Sequence, residues 1–368
     1  MGVHWIAPVL LVVAMVGLAS AESLPKHVDV FVSGQGGYFA YRIPAIETAS
    51  DGSLVAFAEA RKYNLDDPGY GKQEIHLVMK RSTDGGATWS AMKVIEDPGE
   101  LRSAANPATV VDRKTGRLWL LYLRCEPYKN TDTARPQTND VQTLARFSDD
   151  NGQTWSEPTD VGAVHDRTHP QWRCSVVGPG GAIQDRNGRL IAPVWKTPWG
   201  NFAIFSDDQG RTWQRSGFVP GGKDGNENQL VELADGTLLM DIRQCAGPHR
   251  WLATSRDGGK TWSEPRPGVQ VGEVACAIER YTLKSAGDDR DRILWTGPKG
   301  PGRRNLVARV SYDEGQTFTN ERLIYEGPAA YSDLTILKDK TVGVLWERGD
   351  YKFITFTRLD RGFFEPGR

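Results

Sequence analysis

Five copies of one short phrase recur along the chain and constrain its fold more than any other feature. The copies are STDGGATW (82–89), SDDNGQTW (148–155), SDDQGRTW (206–213), SRDGGKTW (255–262) and SYDEGQTF (311–318). Their first serines are 66, 58, 49 and 56 residues apart, about the length of one small antiparallel sheet. A sheet of that size cannot bury a core alone, so the copies must pack side by side.

A second repeat, a turn followed by an apolar strand, lies upstream of these phrases. Its six copies are DGSLVAFAEAR (51–61), TGRLWLLYLR (115–124), NGRLIAPVWK (187–196), DGTLLMDIR (235–243), DRILWTGP (291–298) and KTVGVLWER (340–348). Each has the pattern of a hairpin that leads into a buried strand. No segment keeps a 3.6-residue period, so we expect few helices.

Six strand repeats and five turn phrases predict an all-β chain, a six-bladed β-propeller of four-stranded antiparallel sheets, as one domain over residues 22–368. A ring of sheets must close on itself. We expect the segment 28–46 to complete the last blade by pairing with the C-terminal strands near 351–357. In each phrase the Asp is expected to accept backbone N–H groups and the aromatic residue to pack beneath the turn, which are folding roles.

The first 21 residues have the pattern of a signal peptide. A short polar head precedes an apolar run at 6–18, and Ala19 and Ala21 match a small-residue cleavage site. We therefore expect a secreted or periplasmic protein, with an uncleaved membrane anchor as the alternative. No later segment has the pattern of a membrane span.

Composition adds two constraints. A formal net charge of −1 gives no general attraction to nucleic acid or to an anionic membrane, so a charged ligand must be recognised locally. The four cysteines, Cys125, Cys174, Cys245 and Cys276, show no C-x-x-C spacing. Disulfide bonds and buried free thiols both remain open.

Several arginines in or beside the strands point to an anionic ligand. Arg42 lies in the apolar context YRIPA, Arg61 and Arg243 end strand repeats, and Arg303 and Arg304 precede the fifth phrase. A buried guanidinium is costly unless it meets an anion or a carboxylate. Equivalent strand ends of a propeller converge near one mouth of its channel, where several guanidiniums would bind a carboxylate or a phosphate.

The chain contains the YRIP motif, the five phrases, GNENQLVELADGTLLMDIR (225–243), RRNLVARVSYDEG (303–315) and AAYSDL (329–334), which are spread over residues 41–334. In this ordered set the chain resembles the exo-α-sialidases (neuraminidases) of the bacterial and animal type, whose phrases are called Asp boxes. The resemblance implies a hydrolase that removes terminal sialic acids from glycoconjugates. It also implies a sialylated glycan as partner, no cofactor, no metal and a monomeric protein.

The resemblance assigns the groups that hold the carboxylate of sialic acid. The matching positions are Arg42, Arg243 and Arg303, with Arg304 as the alternative to Arg303. Glu347, in VLWERG, matches the carboxylate that steadies the first arginine. Arg61 joins the substrate-binding set because it ends a strand repeat.

The resemblance also assigns the catalytic groups. Tyr331, in AAYSDL, matches the nucleophile, and Glu227, in GNENQLVEL, matches its base. Sialic acid carries a carboxylate on its anomeric carbon, so a neutral Tyr avoids the repulsion that an Asp or Glu nucleophile would meet. A phenol needs an adjacent base near neutral pH. The acid/base is Asp66 or Asp67 in the loop at 60–78.

These residues predict a retaining exo-α-sialidase. Two alternatives remain. A relative of the trans-sialidase type would transfer the sialyl group to another hydroxyl. A non-catalytic propeller would use the arginines only to bind acidic glycans, although it would not need the Tyr, Glu and Asp set.

Overall fold

The computed structural model describes residues 1–2, 25–162, 170–221 and 224–365. Most of the predicted signal peptide lies outside the described residues. Nearly all regular secondary structure of the described chain is β-strand, with one 3₁₀ turn at Lys284–Ala286 and one short helix, α1, at Arg361–Phe364. None of the helical segments in these ranges is long and apolar enough to cross a membrane. The prediction of an all-β chain is confirmed.

The strands follow one another closely along the chain. The first thirteen are β1 (His27–Val32), β2 (Ala40–Thr48), β3 (Leu54–Arg61), β4 (Ile75–Ser82), β5 (Lys93–Glu96), β6 (Ser103–Val111), β7 (Leu118–Cys125), β8 (Val141–Ser148), β9 (Thr159–Asp160), β10 (Cys174–Val177), β11 (Gly180–Gly181), β12 (Ile183–Gln184) and β13 (Leu190–Thr197). The others are β14 (Gly200–Ser206), β15 (Gln214–Arg215), β16 (Gly225–Glu232), β17 (Leu238–Gln244), β18 (His249–Ser255), β19 (Arg266–Gln270), β20 (Ala277–Thr282), β21 (Arg292–Pro298), β22 (Arg304–Ser311), β23 (Thr319–Ile336), β24 (Val342–Arg348) and β25 (Phe353–Leu359).

These strands form four hydrogen-bonded sheets in which nearly all neighbours are antiparallel. Strands β2 to β9 and β11 form a sheet of nine strands, and β10 with β12 to β15 a sheet of five. Strands β16 to β19 form a sheet of four, and β20 to β25 with β1 a sheet of seven. The larger sheets arise where one strand group continues into the next, through the 18-residue strand β23 and through a single parallel pairing of β4 with β6.

The N-terminal strand joins the C-terminal one. Strand β1 pairs antiparallel with β25, with His27 opposite Thr357 and Val32 opposite Phe353. The predicted pairing of this segment with the C-terminal strands is therefore correct for β1, whereas β2 starts the following sheet. Because the two ends of the chain share one sheet, the strand groups form a closed arrangement.

Hydrophobic clusters fill the spaces between successive strand groups, and each turn phrase contributes its aromatic residue to a different cluster. These residues are Trp89, Trp155, Trp213, Trp262 and Phe318. A sixth cluster, between β20–β22 and β24, has no turn phrase. Phe364 of α1, which is 1% exposed, packs in this cluster.

The Asp of each phrase organises its own turn. In the second phrase Asp150 accepts hydrogen bonds from the Ser148 hydroxyl (2.7 Å), the Thr154 amide (2.8 Å) and the Thr154 hydroxyl (2.6 Å). The same Ser and Thr bonds recur at Asp84, Asp208, Asp257 and Asp313. The prediction that these carboxylates have folding roles agrees with these contacts.

Candidate functional site

Bulges in the inner strands place the candidate residues. In β16, Asn226 and Glu227 together oppose the single residue Arg243 of β17. In β23, Ala330 and Tyr331 likewise oppose Glu347 of β24. A bulge adds one residue to one strand and redirects the side chains there, which is why bulges are common beside active sites.

Strand β2 has a similar irregularity, since its register with β3 shifts after Arg42. Ile43, at φ +54°, and Pro44 lie between the paired residues Arg42 and Ala45. Proline has no backbone N–H, so the ladder is interrupted at this point. The YRIP motif thus marks the place where β2 departs from regular pairing.

Tyr331, Glu227 and Arg243 form one hydrogen-bonded group. The Tyr331 hydroxyl lies 2.8 and 2.7 Å from the two carboxylate oxygens of Glu227. Nη1 of Arg243 donates to Glu227 Oε2 at 2.6 Å and to the Tyr331 hydroxyl oxygen at 2.8 Å. Nε of Arg243 is buried without a hydrogen-bond partner among the described residues.

Glu347 holds Arg42 and the backbone of two bulges. Nε of Arg42 donates to Glu347 Oε1 at 2.6 Å, and the Ile43 amide donates to the same oxygen at 2.9 Å. The Tyr331 amide donates to Oε2 at 3.1 Å. Both partners of the ion pair are buried, with Glu347 1% and Arg42 6% exposed. One carboxylate therefore fixes the guanidinium and the strand segment that carries Tyr331.

A second tyrosine, Tyr351, links the remaining arginine to this group. Its ring lies 4.0 Å from the guanidinium carbon of Arg42, and its hydroxyl oxygen accepts a hydrogen bond of 3.0 Å from Nη1 of Arg303. The guanidinium carbons of Arg42 and Arg303 lie 5.6 and 5.2 Å from the Tyr331 ring centroid. Arg304 is exposed, so Arg303 is the member of that pair that reaches the site.

Burial and charge set the protonation of Tyr331. Burial raises the pKa of its hydroxyl above the ordinary value, and the negative charge of Glu227 raises it further, while Arg243, Arg303 and Arg42 oppose the shift. Tyr331 is therefore neutral at physiological pH, with a proton acceptor in contact. Burial alone would lower the pKa of Arg42, but Glu347 raises it above its usual range.

The loop between β3 and β4 separates the two candidate acid/base residues. Asp67 lines the same cavity as Tyr331 and Glu227, and its carboxylate lies 2.9 Å from Nη2 of Arg61. Asp66 does not line this cavity. The backbone carbonyl oxygen of Asp66 accepts a hydrogen bond of 2.7 Å from the side-chain amide of Gln73. Of the two candidates, Asp67 and not Asp66 thus lines the cavity that Tyr331 also lines.

Arg61 lines the cavity, and its guanidinium is already paired with carboxylates of the protein. Its side chain is buried, and its guanidinium contacts Glu59, Asp67 and the carbonyl oxygen of Leu65. Glu59 in turn accepts a hydrogen bond of 2.9 Å from the Asn106 amide. The side chains of residues 59 and 61 lie on the same face of β3. A Glu two residues before an Arg in an apolar strand was the sequence pattern that could have indicated Glu59 as a partner of Arg61.

The cavity has a volume of about 230 Å³. Tyr331, Glu227 and Arg243 line it together with Asp67 from the loop between β3 and β4. The rest of its wall includes residues that the sequence reasoning did not single out for the site: Asn106, Leu123, Val176, Asn226 and Tyr70. Arg303, Glu347 and Tyr351 line an adjoining cavity of about 20 Å³.

Two tryptophans line the same cavity. Trp195 is buried, whereas Trp199 is 39% exposed, and their rings stack with centroids 5.6 Å apart. None of the four cysteines forms a disulfide bond in the described part of the chain, and Cys125, Cys174 and Cys276 are buried. Of the two possibilities for the cysteines, the structure shows the reduced one.

Comparison with known proteins agrees with this geometry. The family model of the BNR repeat-like domain matches residues 52–344. A sialidase of Micromonospora viridifaciens is 32% identical over 351 residues, which cover 89% of this chain and 53% of that protein. A sialidase of Clostridium perfringens is 30% identical over 278 residues, which cover 70% of each protein. The chain thus spans about half the length of the Micromonospora relative.

A solved structure shows the same fold. The Hadza microbial sialidase Hz136 superposes with a TM-score of 0.81 at 27% identity, over 91% of this chain and 68% of that one. The repeats, the matched domain and the relatives agree with one another. The chain belongs to the Asp-box, BNR-repeat family of exo-α-sialidases.

Proposed function

We propose that this protein is a retaining exo-α-sialidase that hydrolyses terminal sialic acids from glycoconjugates. The observation that carries the proposal is the contact of the Tyr331 hydroxyl with both oxygens of Glu227, beside three guanidiniums. A neutral phenol in contact with a carboxylate is an activated nucleophile, because the carboxylate accepts its proton as attack begins. The arginines offer the positive charge that an anionic substrate requires.

In the proposed reaction Arg42, Arg243 and Arg303 bind the substrate carboxylate. Tyr331 forms a bond to the anomeric carbon and transfers its proton to Glu227. Meanwhile the bond to the leaving oxygen breaks, and an acid on the opposite side protonates that oxygen. In the second step water attacks the anomeric carbon of the glycosyl–tyrosine intermediate with the same residue as base, the bond to the Tyr331 oxygen breaks, and Glu227 returns the proton to that oxygen, so the anomeric configuration is retained.

We assign the acid/base role to Asp67. Its carboxylate lines the cavity and is 66% exposed, so it can reach both a leaving oxygen and a water molecule. Asp66 is also exposed, but nothing directs it towards Tyr331. Glu347 acts by holding Arg42 and the backbone of Tyr331 rather than by contacting substrate.

The arrangement of the strands is proposed to be a six-bladed propeller. Seven hydrophobic clusters lie between successive strand groups, and two of them share the space between β6–β8 and the sheet of β10 and β13, so the clusters define six interfaces, which supports six radial units. Continuation of β23 from one group into the next accounts for sheets with more than four strands. The cavity that Tyr331 lines would then lie at the axis of the propeller.

We also propose a monomeric protein exported to the periplasm or the medium. The apolar run at 6–18 supports export. Size-exclusion chromatography and N-terminal sequencing of the secreted protein test these two points. A mature N-terminus near residue 22 is the expected result, and retention of residues 1–21 would contradict it.

One assay tests the function directly. Purified protein is incubated with an aryl α-sialoside, and release of the aryl group is followed by fluorescence while ¹H NMR records the first sialic acid anomer. We expect turnover with the α-anomer formed first. Initial β-anomer would contradict retention, and no turnover of any sialoside would favour a binding protein. Mass spectrometry with added lactose separates hydrolysis from sialyl transfer.

A further inference from the structure

The acid/base loop, residues 62–74 between β3 and β4, is tied to a second loop across the cavity. The Tyr70 hydroxyl donates a hydrogen bond of 2.6 Å to Oδ2 of Asp132, which belongs to the loop between β7 and β8. Both residues line the cavity, and Tyr70 is 45% exposed. This hydrogen bond therefore connects two surface loops 62 residues apart in sequence at the rim of the site.

Tyr70 is coupled rigidly to Asp67. The Tyr70 amide donates to the Asp67 carbonyl oxygen at 3.1 Å, which closes a four-residue turn. Pro68 stands second in this turn and Gly69 third, at φ +74°, as a type II turn requires. Since proline restricts φ and the hydrogen bond closes the turn, a force on Tyr70 is transmitted to Asp67.

The turn also rests directly on the opposite loop. A Cβ atom at Gly69 would lie 2.0 Å from the carbonyl oxygen of Lys129, so only glycine permits this approach. This backbone contact is independent of the Tyr70 hydrogen bond. Together they hold the turn against the loop between β7 and β8 at two points.

The opposite loop is itself well anchored. The Asn130 side chain accepts hydrogen bonds of 2.9 Å from the amides of Asp132 and Thr133. The carbonyl oxygen of Thr131 accepts a hydrogen bond of 2.7 Å from the hydroxyl of Thr197, at the end of β13. Asp132 is thus presented from a turn fixed to a buried strand, and it can position a loop that has fewer contacts with the sheets.

We propose that Tyr70 and Asp132 are positioning residues that hold the Asp67 carboxylate at the leaving-group side of the cavity. This inference rests on the proposed function and deepens it. Asp67 also pairs with Arg61, but that contact alone fixes only one side of an exposed carboxylate. The Tyr70–Asp132 bond restrains the other end of the turn. Proton donation to the leaving oxygen therefore depends on a contact outside the reacting groups.

Leaving-group dependence tests the proposal. An alcohol leaving group, as in a sialyl-lactose, needs protonation during bond cleavage, whereas a good aryl leaving group departs with little assistance. We compare kcat/KM, which reports the first chemical step, for both substrates. For Tyr70→Phe we expect a fall of about tenfold with sialyl-lactose, the size of one lost charge-assisted hydrogen bond. With the aryl sialoside we expect a change of less than about twofold.

A matched control lies on the same loop. The Tyr63 hydroxyl makes no hydrogen bond to any residue in the described ranges, so Tyr63→Phe removes the same atom without breaking a contact. This variant is expected to match the wild type with both substrates. Asp132→Ala should reproduce the selective loss, and the Tyr70→Phe, Asp132→Ala double variant should lose no more than either single variant.

The outcomes separate the two proposals. A wild-type protein that releases no sialic acid from either substrate contradicts the proposed function. If the wild type is active, the positioning role is contradicted when Tyr70→Phe lowers kcat/KM equally for both substrates or for neither. Additive losses in the double variant also contradict it, because they would show that Tyr70 and Asp132 act independently.

Discussion

The hydroxyl of Tyr331 lies within 2.8 Å of both oxygens of Glu227, and the two residues are 104 positions apart in sequence. Both stand in bulges of inner strands. A bulge on each strand directs one side chain towards the other, and Arg243 bridges the pair. The contact thus depends on the register of two separate hairpins rather than on any local motif.

Removing the hydroxyl of the proposed nucleophile, Tyr331, should separate turnover from binding. In Tyr331→Phe the Arg243–Glu227 ion pair remains, and the three arginines keep their charges. We expect kcat to fall by about three orders of magnitude or more, while the Kd for free sialic acid changes less than about tenfold. Kinetics and calorimetry measure the two quantities. Tyr281→Phe, a change in a buried tyrosine bonded to the Lys340 carbonyl, is the control. Turnover of Tyr331→Phe at the wild-type rate would contradict the proposal that Tyr331 is the nucleophile.

Neutralising the partner of Arg42 should weaken substrate binding. Glu347→Gln leaves a buried guanidinium without its countercharge and weakens the acceptor for the Ile43 and Tyr331 amides. We expect KM to rise more than about tenfold and Tm to fall, because a broken buried ion pair costs about 3–5 kcal/mol. Thermal unfolding and steady-state kinetics test this.

A surface ion pair provides the control for that variant. Glu321 pairs with Lys299 and Arg309, and such exposed pairs contribute about 0–1 kcal/mol. Glu321→Gln should leave KM unchanged and Tm nearly so. Equal effects of the two substitutions would mean that Glu347 has no special part in binding.

Two half-buried carboxyls outside the candidate site, Glu47 and Glu279, should make stability depend on pH. Burial, with the charge of Asp333, raises the pKa of Glu279 to about 8, and burial, with the charge of Glu279, raises that of Glu47 to about 8. The folded state therefore binds protons more tightly than the unfolded chain. The contribution of these two carboxyl groups to stability is complete below about pH 4.5 and is lost as pH rises towards 8.

Glu279→Gln should remove part of this pH dependence. We expect its Tm to exceed that of the wild type by a few degrees at pH 8 and to be close to it at pH 4.5, measured by calorimetry across that range. Glu326→Gln, at an exposed position of β23, should show no such difference. A Tm gain that is the same at both pH values would contradict the titration of Glu279.

The Asp-box carboxylates should affect stability without affecting catalysis. Asp150→Ala removes the acceptor for the Ser148 and Thr154 hydroxyls and the Thr154 amide, and we expect a loss of about 1–3 kcal/mol. Its neighbour Asp149 pairs only with Arg117 at the surface, so Asp149→Ala should cost less than about 1 kcal/mol. Urea unfolding and kcat/KM measure both. A large fall in kcat/KM for Asp150→Ala at full folding would refute the structural role.

The turn phrases could be interpreted from sequence because their interactions are local. Ser148, Asp150 and Thr154 lie within seven residues, so their bonds form wherever the phrase occurs. The absence of a sixth phrase was visible, but the packing of Phe364 in that cluster was not, since the cluster joins α1 to strands distant in sequence.

The site itself was only partly predictable. The resemblance to sialidases named Arg42, Arg243, Arg303, Tyr331, Glu227 and Glu347 by their motifs, and the structure brings these residues together. Sequence left Asp66 and Asp67 equivalent, because adjacent residues share one motif. Their separation follows from the turn at Pro68 and Gly69, which directs Asp67 to Arg61. Tyr351 and the Tyr70–Asp132 bond had no sequence signal.

Sequence alone determined the repeating turns, the all-β class and the family, because each depends on contacts or motifs within a few residues. Tertiary structure decided which side chains meet. The contact between Arg42 and Glu347 spans 305 residues, and it exists because β1 and β25 close the chain and bring β2 beside β24. Such a contact depends on the register of every intervening strand group, and no local pattern contains that information.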